Sequence, residues 1–326
     1  MTLSIGLTAL MLNAIAAPAP AAQGGGQTPE VVAAARDRAL EQAASELAAG
    51  RRAEARALLA AAAERFTSVK ALLQLARLQS GDGDAAGALA TLNRARALAP
   101  NTEEVLSAIA QVALAARAPV QGILALEPLT RLAPNVAQHH YLFGVALMQA
   151  GDMPTAVEAL QEADRLDPAH TLTSIALGIA LNNRKMFGDA KPILLQVLER
   201  EPENVEALAA LAEAEEGLGE LDAADTHAAQ ALAAAPGHPT ANLVVGMVLM
   251  KRDRYSDARE ALERAAAADA ESPKVYYQLS LAFARLGDDE GASRNRQLYQ
   301  EKLRAMEARI IELRGAGLSS RAERRR

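Results

Sequence analysis

Five prolines recur at a spacing of 34 residues: Pro100, Pro134, Pro168, Pro202 and Pro236. They close similar phrases, Leu98-Ala99-Pro100, Leu132-Ala133-Pro134, Leu166-Asp167-Pro168, Glu201-Pro202 and Ala235-Pro236. A fixed period constrains the fold more than any local motif, because each repeat is one supersecondary unit that buries its apolar face only against its neighbours. Composition says what that unit is made of. Half of the residues are hydrophobic, yet aromatics are only 3% and tryptophan is absent. Alanine and leucine dominate, and both are strong helix formers with little side-chain entropy to lose. The β-branched and aromatic residues that strands favour are scarce. The expected class is all-α.

Counting from the prolines, units start near residues 69, 103, 137, 171, 205, 239 and 273, with one unit a residue shorter starting near Arg36. The eighth position of each unit then reads Ala43, Ala76, Ala110, Gly144, Gly178, Ala212, Gly246 and Ser280. The twentieth reads Ala55, Ala88, Gly122, Ala156, Ala190, Ala224, Ala258 and Ala292. All are small, as two closely approaching antiparallel helices require. Larger residues fill position seven (Leu75, Ile109, Phe143, Leu177, Leu211, Val245, Leu279) and position 24 (Leu59, Leu92, Leu126, Leu160, Leu194, Leu262). Gly81-Asp82-Gly83-Asp84, Gly151-Asp152, Gly219-Glu220 and Gly287-Asp288 fall between the two helices of their units, where glycine accepts a positive φ at a helix end. Pro119 and Pro154 stand where a second helix should begin, a tolerated place for proline.

This pattern resembles the tetratricopeptide-repeat family over roughly residues 36–306, as eight helix–turn–helix units. The resemblance implies a right-handed superhelical solenoid with a concave face. The chain departs from the family pattern in places. The usual aromatic at position four is missing from most units, with Tyr276 the clearest exception. Pro128 falls inside the second helix of the third unit, and Pro192 near the start of the fifth unit's. An interior proline removes a helical hydrogen bond, so a local bend is expected between Gly122 and Pro134. In the last unit Arg296 and Arg304 replace the template's leucine and proline, and the chain runs on as a helix. Its stripe of Leu303, Met306, Ile310 and Leu313 reads as a terminal cap on the stack.

The ends divide off by composition. Leu3 to Ala17 is an uncharged apolar run of signal-peptide length, too short for a stable membrane span. Ala14-Ile15-Ala16 and Ala19-Pro20-Ala21 both match the spacing that signal peptidase reads, although no Lys or Arg precedes the run. Residues 1–22 are therefore read as a signal peptide and 23–35 as linker and start of the first helix. The solenoid is read over 36–306, followed by 307–326 as the end of the capping helix and a basic tail. A cleaved leader implies a periplasmic or secreted protein; an uncleaved one implies a cytoplasmic adaptor or assembly factor. The formal net charge of −6 argues against a nucleic-acid partner, which needs a basic stripe. Cysteine is absent, so disulfides, thiolate metal sites and cysteine nucleophiles are excluded.

The family resemblance implies that the first helix of each unit lines the concave groove, mainly through positions 2, 5, 9 and 12. The Lys/Asn set that some members use to clamp a C-terminal carboxylate is not present here. In the later units these positions read Tyr141, Val145 and Met148; Ile175, Ile179 and Asn182; Leu243, Met247 and Met250; Tyr277 and Leu281. This mostly apolar strip suits a protein or peptide partner, since flexible methionine accepts varied apolar surfaces and an amphipathic helix could lie along it. The same residues would serve equally as packing between neighbouring first helices. Glu206, Ala209, Glu213 and Glu216 interrupt the strip, as a solvated acidic face or a patch that attracts a basic segment of the partner.

No catalytic, cofactor or metal site is expected. His139 and His140 are adjacent and point to different faces, and His170 and His238 fall in turns between units. No nucleophile elbow, phosphate loop or dinucleotide fingerprint occurs. The expected role is a non-catalytic interaction scaffold, with an accessory part of an enzyme complex as a further alternative.

Overall fold

The computed structural model describes residues 28–315, and among them sixteen α-helices and no strand occur. The predicted leader and basic tail lie outside the described residues. The helices pair in chain order: α1 (Pro29–Ala48) with α2 (Arg52–Phe66), α3 (Val69–Gly81) with α4 (Ala85–Leu98), and α5 (Glu103–Ala115) with α6 (Pro119–Leu132). Then come α7 (Ala137–Ala150) with α8 (Met153–Leu166), α9 (Thr171–Asn183) with α10 (Phe187–Arg200), and α11 (Val205–Leu218) with α12 (Leu221–Ala234). The last two pairs are α13 (Pro239–Lys251) with α14 (Tyr255–Ala268) and α15 (Pro273–Arg285) with α16 (Asp289–Gly315). Each helix packs on its pair mate and on the following helix, which makes a solenoid of eight units.

The expected frame matches these bounds closely. Only α1 differs, starting at Pro29 instead of near Arg36. No helix breaker separates Pro29 from Ala48, and proline is compatible with a first helical turn. All sixteen small residues at positions 8 and 20 are buried. A Cβ on Gly144, Gly178 or Gly246 would come within 2.5 to 2.7 Å of Leu160, Leu194 or Leu262, the leucine at position 24 of the same unit. The backbone must be bare there for the leucine to seat. Leu59, Leu92, Leu126, Leu160, Leu194 and Leu262 are each almost fully buried, contributing about 2 kcal/mol apiece.

Turn chemistry repeats with the same period. Gly50, Gly83, Gly151, Gly219 and Gly287 hold positive φ between the helices of their units. In units three, five and seven the equivalent residue is Arg117, Lys185 or Asp253, at φ of 52°, 60° and 59°. After three of the glycines an aspartate caps the next helix: Asp84, Asp152 and Asp288 accept the backbone N–H of Gly87, Thr155 and Gly291. One dipeptide thus ends one helix and starts the next.

The interior prolines do not interrupt their helices. Helix α6 is helical throughout Pro119–Leu132 with Pro128 inside, and α10 continues through Pro192. Pro128 deprives the Leu124 carbonyl of its helical donor, and Arg96 of α4 replaces it at 3.2 Å. The corresponding carbonyl for Pro192 belongs to Gly188, which is exposed to solvent.

Candidate functional site

The twelve residues expected to line the partner face lie on five first helices, α7, α9, α11, α13 and α15. They do not form one open strip. Helix α11 packs directly on both α9 and α13, and its Ala207, Ala209, Ala210, Ala212 and Ala214 let those neighbours close in. As a result Ile175, Asn182 and Glu213 are buried, while Leu243 and Met247 are buried in a cluster with Leu262 of α14 and Val275 and Leu279 of α15. In these five the packing alternative describes the side chains better than an open groove does. Asn182 ties the layer together by donating from Nδ2 to the Ala210 carbonyl at 2.8 Å. Tyr141, Val145, Met148, Ile179 and Met250 are half-buried. Tyr141 meets the His170 ring edge-on, at 5.3 Å between centroids, and burial raises its phenol above the ordinary value. The strip opens fully only at its end, where Tyr277 is 45% and Leu281 38% exposed. Tyr277 there lies 5.5 Å from the ring of Tyr299 on α16.

The acidic interruption is not a solvated patch. Glu213 and Glu216 are buried, and each has its own base within the chain. Lys274 Nζ donates to Glu213 Oε1 at 2.5 Å, bridging unit eight to unit six. Lys251 Nζ lies 2.7 Å from Glu216 Oε1 and also donates to the Glu216 carbonyl at 2.9 Å. Glu206 is exposed at its side chain and faces His238 Nε2 at 3.2 Å, a hydrogen bond that holds its carboxyl below the usual range. Because His238 Nδ1 accepts the Ala241 N–H as the cap of α13, the ring proton sits on Nε2, toward Glu206. The lysines compensate Glu213 and Glu216, so those two leave little charge to recruit a basic partner segment.

A fourth carboxylate belongs to the same network and was not singled out by spacing. Glu215 is 2% exposed, shares a 2.7 Å hydrogen bond with His227 Nδ1 and lies 3.8 Å from Lys191, which also pairs with Glu220. Its one signal in the sequence is the density of acids there, Glu213, Glu215 and Glu216 within four residues of a helix built mostly from alanine and leucine. Units five, seven and eight therefore each send a cation to α11.

The remaining histidines have local partners. His140 Nε2 donates to the Pro134 carbonyl at 2.8 Å, and His170 Nδ1 pairs with the Thr173 hydroxyl at 2.7 Å. His139 is buried 3.7 Å from Glu103, and burial lowers its imidazole below the ordinary value. Among the described residues no group of three or more His, Cys, Asp or Glu is arranged to hold a metal ion. No helix among them is long and apolar enough to cross a membrane.

Comparison with known proteins agrees with this geometry. One tetratricopeptide-repeat model matches residues 107–171, 179–239 and 244–293, and a second matches 70–102. No curated protein matches the chain. Among solved structures it is similar to a tetratricopeptide repeat protein from Parabacteroides merdae, at 13% identity and a TM-score of 0.60, over 77% of this chain and 99% of that one. It is also similar to PilW, described as a widely conserved type IV pilus biogenesis factor, at 17% identity and a TM-score of 0.50, over 64% and 96%. The human IFIT1 dimer with m7Gppp-AAAA matches at 13% identity and a TM-score of 0.54, over 80% and 67%. At such identities the likeness speaks for the fold alone. The repeat models cover more than half of the residues, and the chain belongs to the tetratricopeptide-repeat family of protein–protein interaction scaffolds.

Proposed function

We propose that the chain is a non-catalytic scaffold that holds a protein or peptide partner on its first-helix face, chiefly at the open end of the strip on α15. The observation that carries this reading is the contrast between neighbouring units. Tyr277 and Leu281 are exposed one helical turn apart, whereas their counterparts Leu243 and Met247 are buried by packing. Two large apolar residues at i and i+4 beside half-buried Met250 suit the apolar face of an amphipathic helix. The buried glutamates of the acidic patch have no part in this reading, since Glu213 and Glu216 are matched by Lys274 and Lys251 within the chain.

A photo-crosslinking residue placed at Tyr277 or Leu281 in the native cell should capture a defined protein that one placed at Glu260, exposed on α14, does not. The double substitution Tyr277→Glu/Leu281→Glu should abolish the capture. Equal products from both positions would overturn the reading.

For location we propose export to the cell envelope, on the apolar run from Leu3 to Ala17 and the small-residue spacings that follow it. Mass measurement of the native N-terminus tests it. A chain lacking roughly the first 22 residues is the expected result, and an intact leader in a cytoplasmic fraction would favour the adaptor alternative.

A further inference from the structure

The last helix is too long for the unit it completes. The second helices α4, α6, α8, α10, α12 and α14 each have 14 residues, and α16 has 27. At ~1.5 Å per residue the overshoot is ~20 Å. It does not stand alone in solvent. The distal part of α16 returns to units three and four, where it packs on α6 and α7.

Three separate features meet at that contact. Met306 and Ile310, one turn apart, lie over Gly151 at the end of α7. A Cβ there would stand 2.9 Å from Met306 Cγ and 3.6 Å from Ile310 Cδ1, so the bare backbone accommodates both side chains. One turn earlier on α16, Lys302 donates a 2.8 Å hydrogen bond to Glu271 in the turn before α15. Arg309 of α16 and Arg117, from the turn before α6, act on the same carboxylate. Both charges favour the ionised form of Glu271. Toward the proximal end, the Tyr277–Tyr299 ring contact fixes the helix where it leaves its own unit.

We propose that the ends of α6 and α7 around Gly151 form a docking surface for an amphipathic helix, and that residues 302–312 of this chain are its resident occupant. The occupant supplies apolar residues at i and i+4, Met306 and Ile310, and the surface supplies a glycine seat at Gly151, while Lys302 holds the occupant to Glu271 before α15. The helix is a strap that joins the last unit of the solenoid to units three and four. A free helix of the same chemistry competes with it for the seat.

The chain has no cysteine, so spin labels can be placed without removing any native thiol. In the full chain, labels at Gln149→Cys and Glu307→Cys, both exposed positions, should give one narrow distance distribution. Adding Met306→Glu and Ile310→Glu should broaden and lengthen it, with helical content by circular dichroism unchanged. A synthetic peptide of residues 298–315 should then bind the Met306→Glu/Ile310→Glu chain at least tenfold more tightly than the native chain. A broad distribution in the native chain would overturn the proposal, as would equal peptide affinity for both chains. Should the doubly substituted chain unfold, the native distance distribution alone decides.

Discussion

The Arg96 guanidinium donates to the carbonyl of Leu124, the acceptor that Pro128 leaves without a helical partner. An interior proline costs about 3 kcal/mol, partly because that carbonyl loses its bond. Here a side chain from the preceding unit restores it, and the two defects compensate across a unit boundary. Arg96→Ala should lower stability by about 1 kcal/mol, the net worth of a typical hydrogen bond. Pro128→Ala should raise stability, because the new N–H bonds Leu124 within the helix. In the Pro128→Ala background the effect of Arg96→Ala should shrink. Urea unfolding of the four chains measures this coupling, and strict additivity would contradict it.

Lys185 sits at φ 60° in a turn whose counterpart is glycine in five of the other seven units, at units one, two, four, six and eight. An L-residue there carries about 1–2 kcal/mol of strain, while glycine adds backbone entropy to the unfolded chain. Lys185→Gly should therefore raise the thermal midpoint, with a net gain of about 0.5–1 kcal/mol. A lowered midpoint would show that the lysine side chain supplies more than the strain removes.

Lys274→Ala leaves the buried Glu213 carboxylate without its base. The expected loss is about 1–3 kcal/mol, below that of a fully buried pair because Lys274 is partly exposed. Glu213→Gln alone should cost less, and adding it to Lys274→Ala should recover part of the loss. Chemical denaturation of the double-mutant cycle checks the order; a double variant as unstable as the sum would refute the pairing.

His139 should make the fold sensitive to mild acid. Burial lowers its imidazole below the ordinary value, against the smaller opposing effect of Glu103. The unfolded chain then binds more protons than the folded one below about pH 6.5, the ordinary histidine value. Its contribution is complete above that pH and is lost as pH falls through the depressed folded value. His139→Leu should flatten the stability profile between about pH 7 and pH 5. An unchanged slope would assign the acid sensitivity elsewhere.

The repeat frame was legible in the sequence because it rests on local chemistry repeated many times. Small residues at positions 8 and 20 mark close helix approach, and glycine or proline marks each turn. The accessibility of the partner face was not legible. Position 9 of unit seven and position 9 of unit eight carry similar apolar residues, yet Met247 is buried and Leu281 is exposed. What separates them is the following unit: Met247 clusters with Val275 and Leu279 of α15, whereas Leu281 lies on α15 itself, the last first helix among the described residues, and a single unit's pattern does not report this. The acidic run on α11 misled for a related reason. The cations that neutralise it lie 24, 35 and 61 residues away, at Lys191, Lys251 and Lys274. The stripe Met306–Ile310 was visible, but its seat at Gly151 is set by the curvature of the whole stack.

The three lysines that converge on α11 have a mechanical consequence. Ties of the first two units, such as Arg52 and Arg56 to Asp82, lie in solvent, where water competes for every bond, whereas the glutamates on α11 are buried. Stretched along its length, the solenoid should behave as a spring of uneven stiffness. Optical tweezers should see units one and two peel away in small early steps, and units five to eight yield together in one late rupture at higher force. Rupture in equal steps from both ends would show that the ties on α11 do not stiffen it.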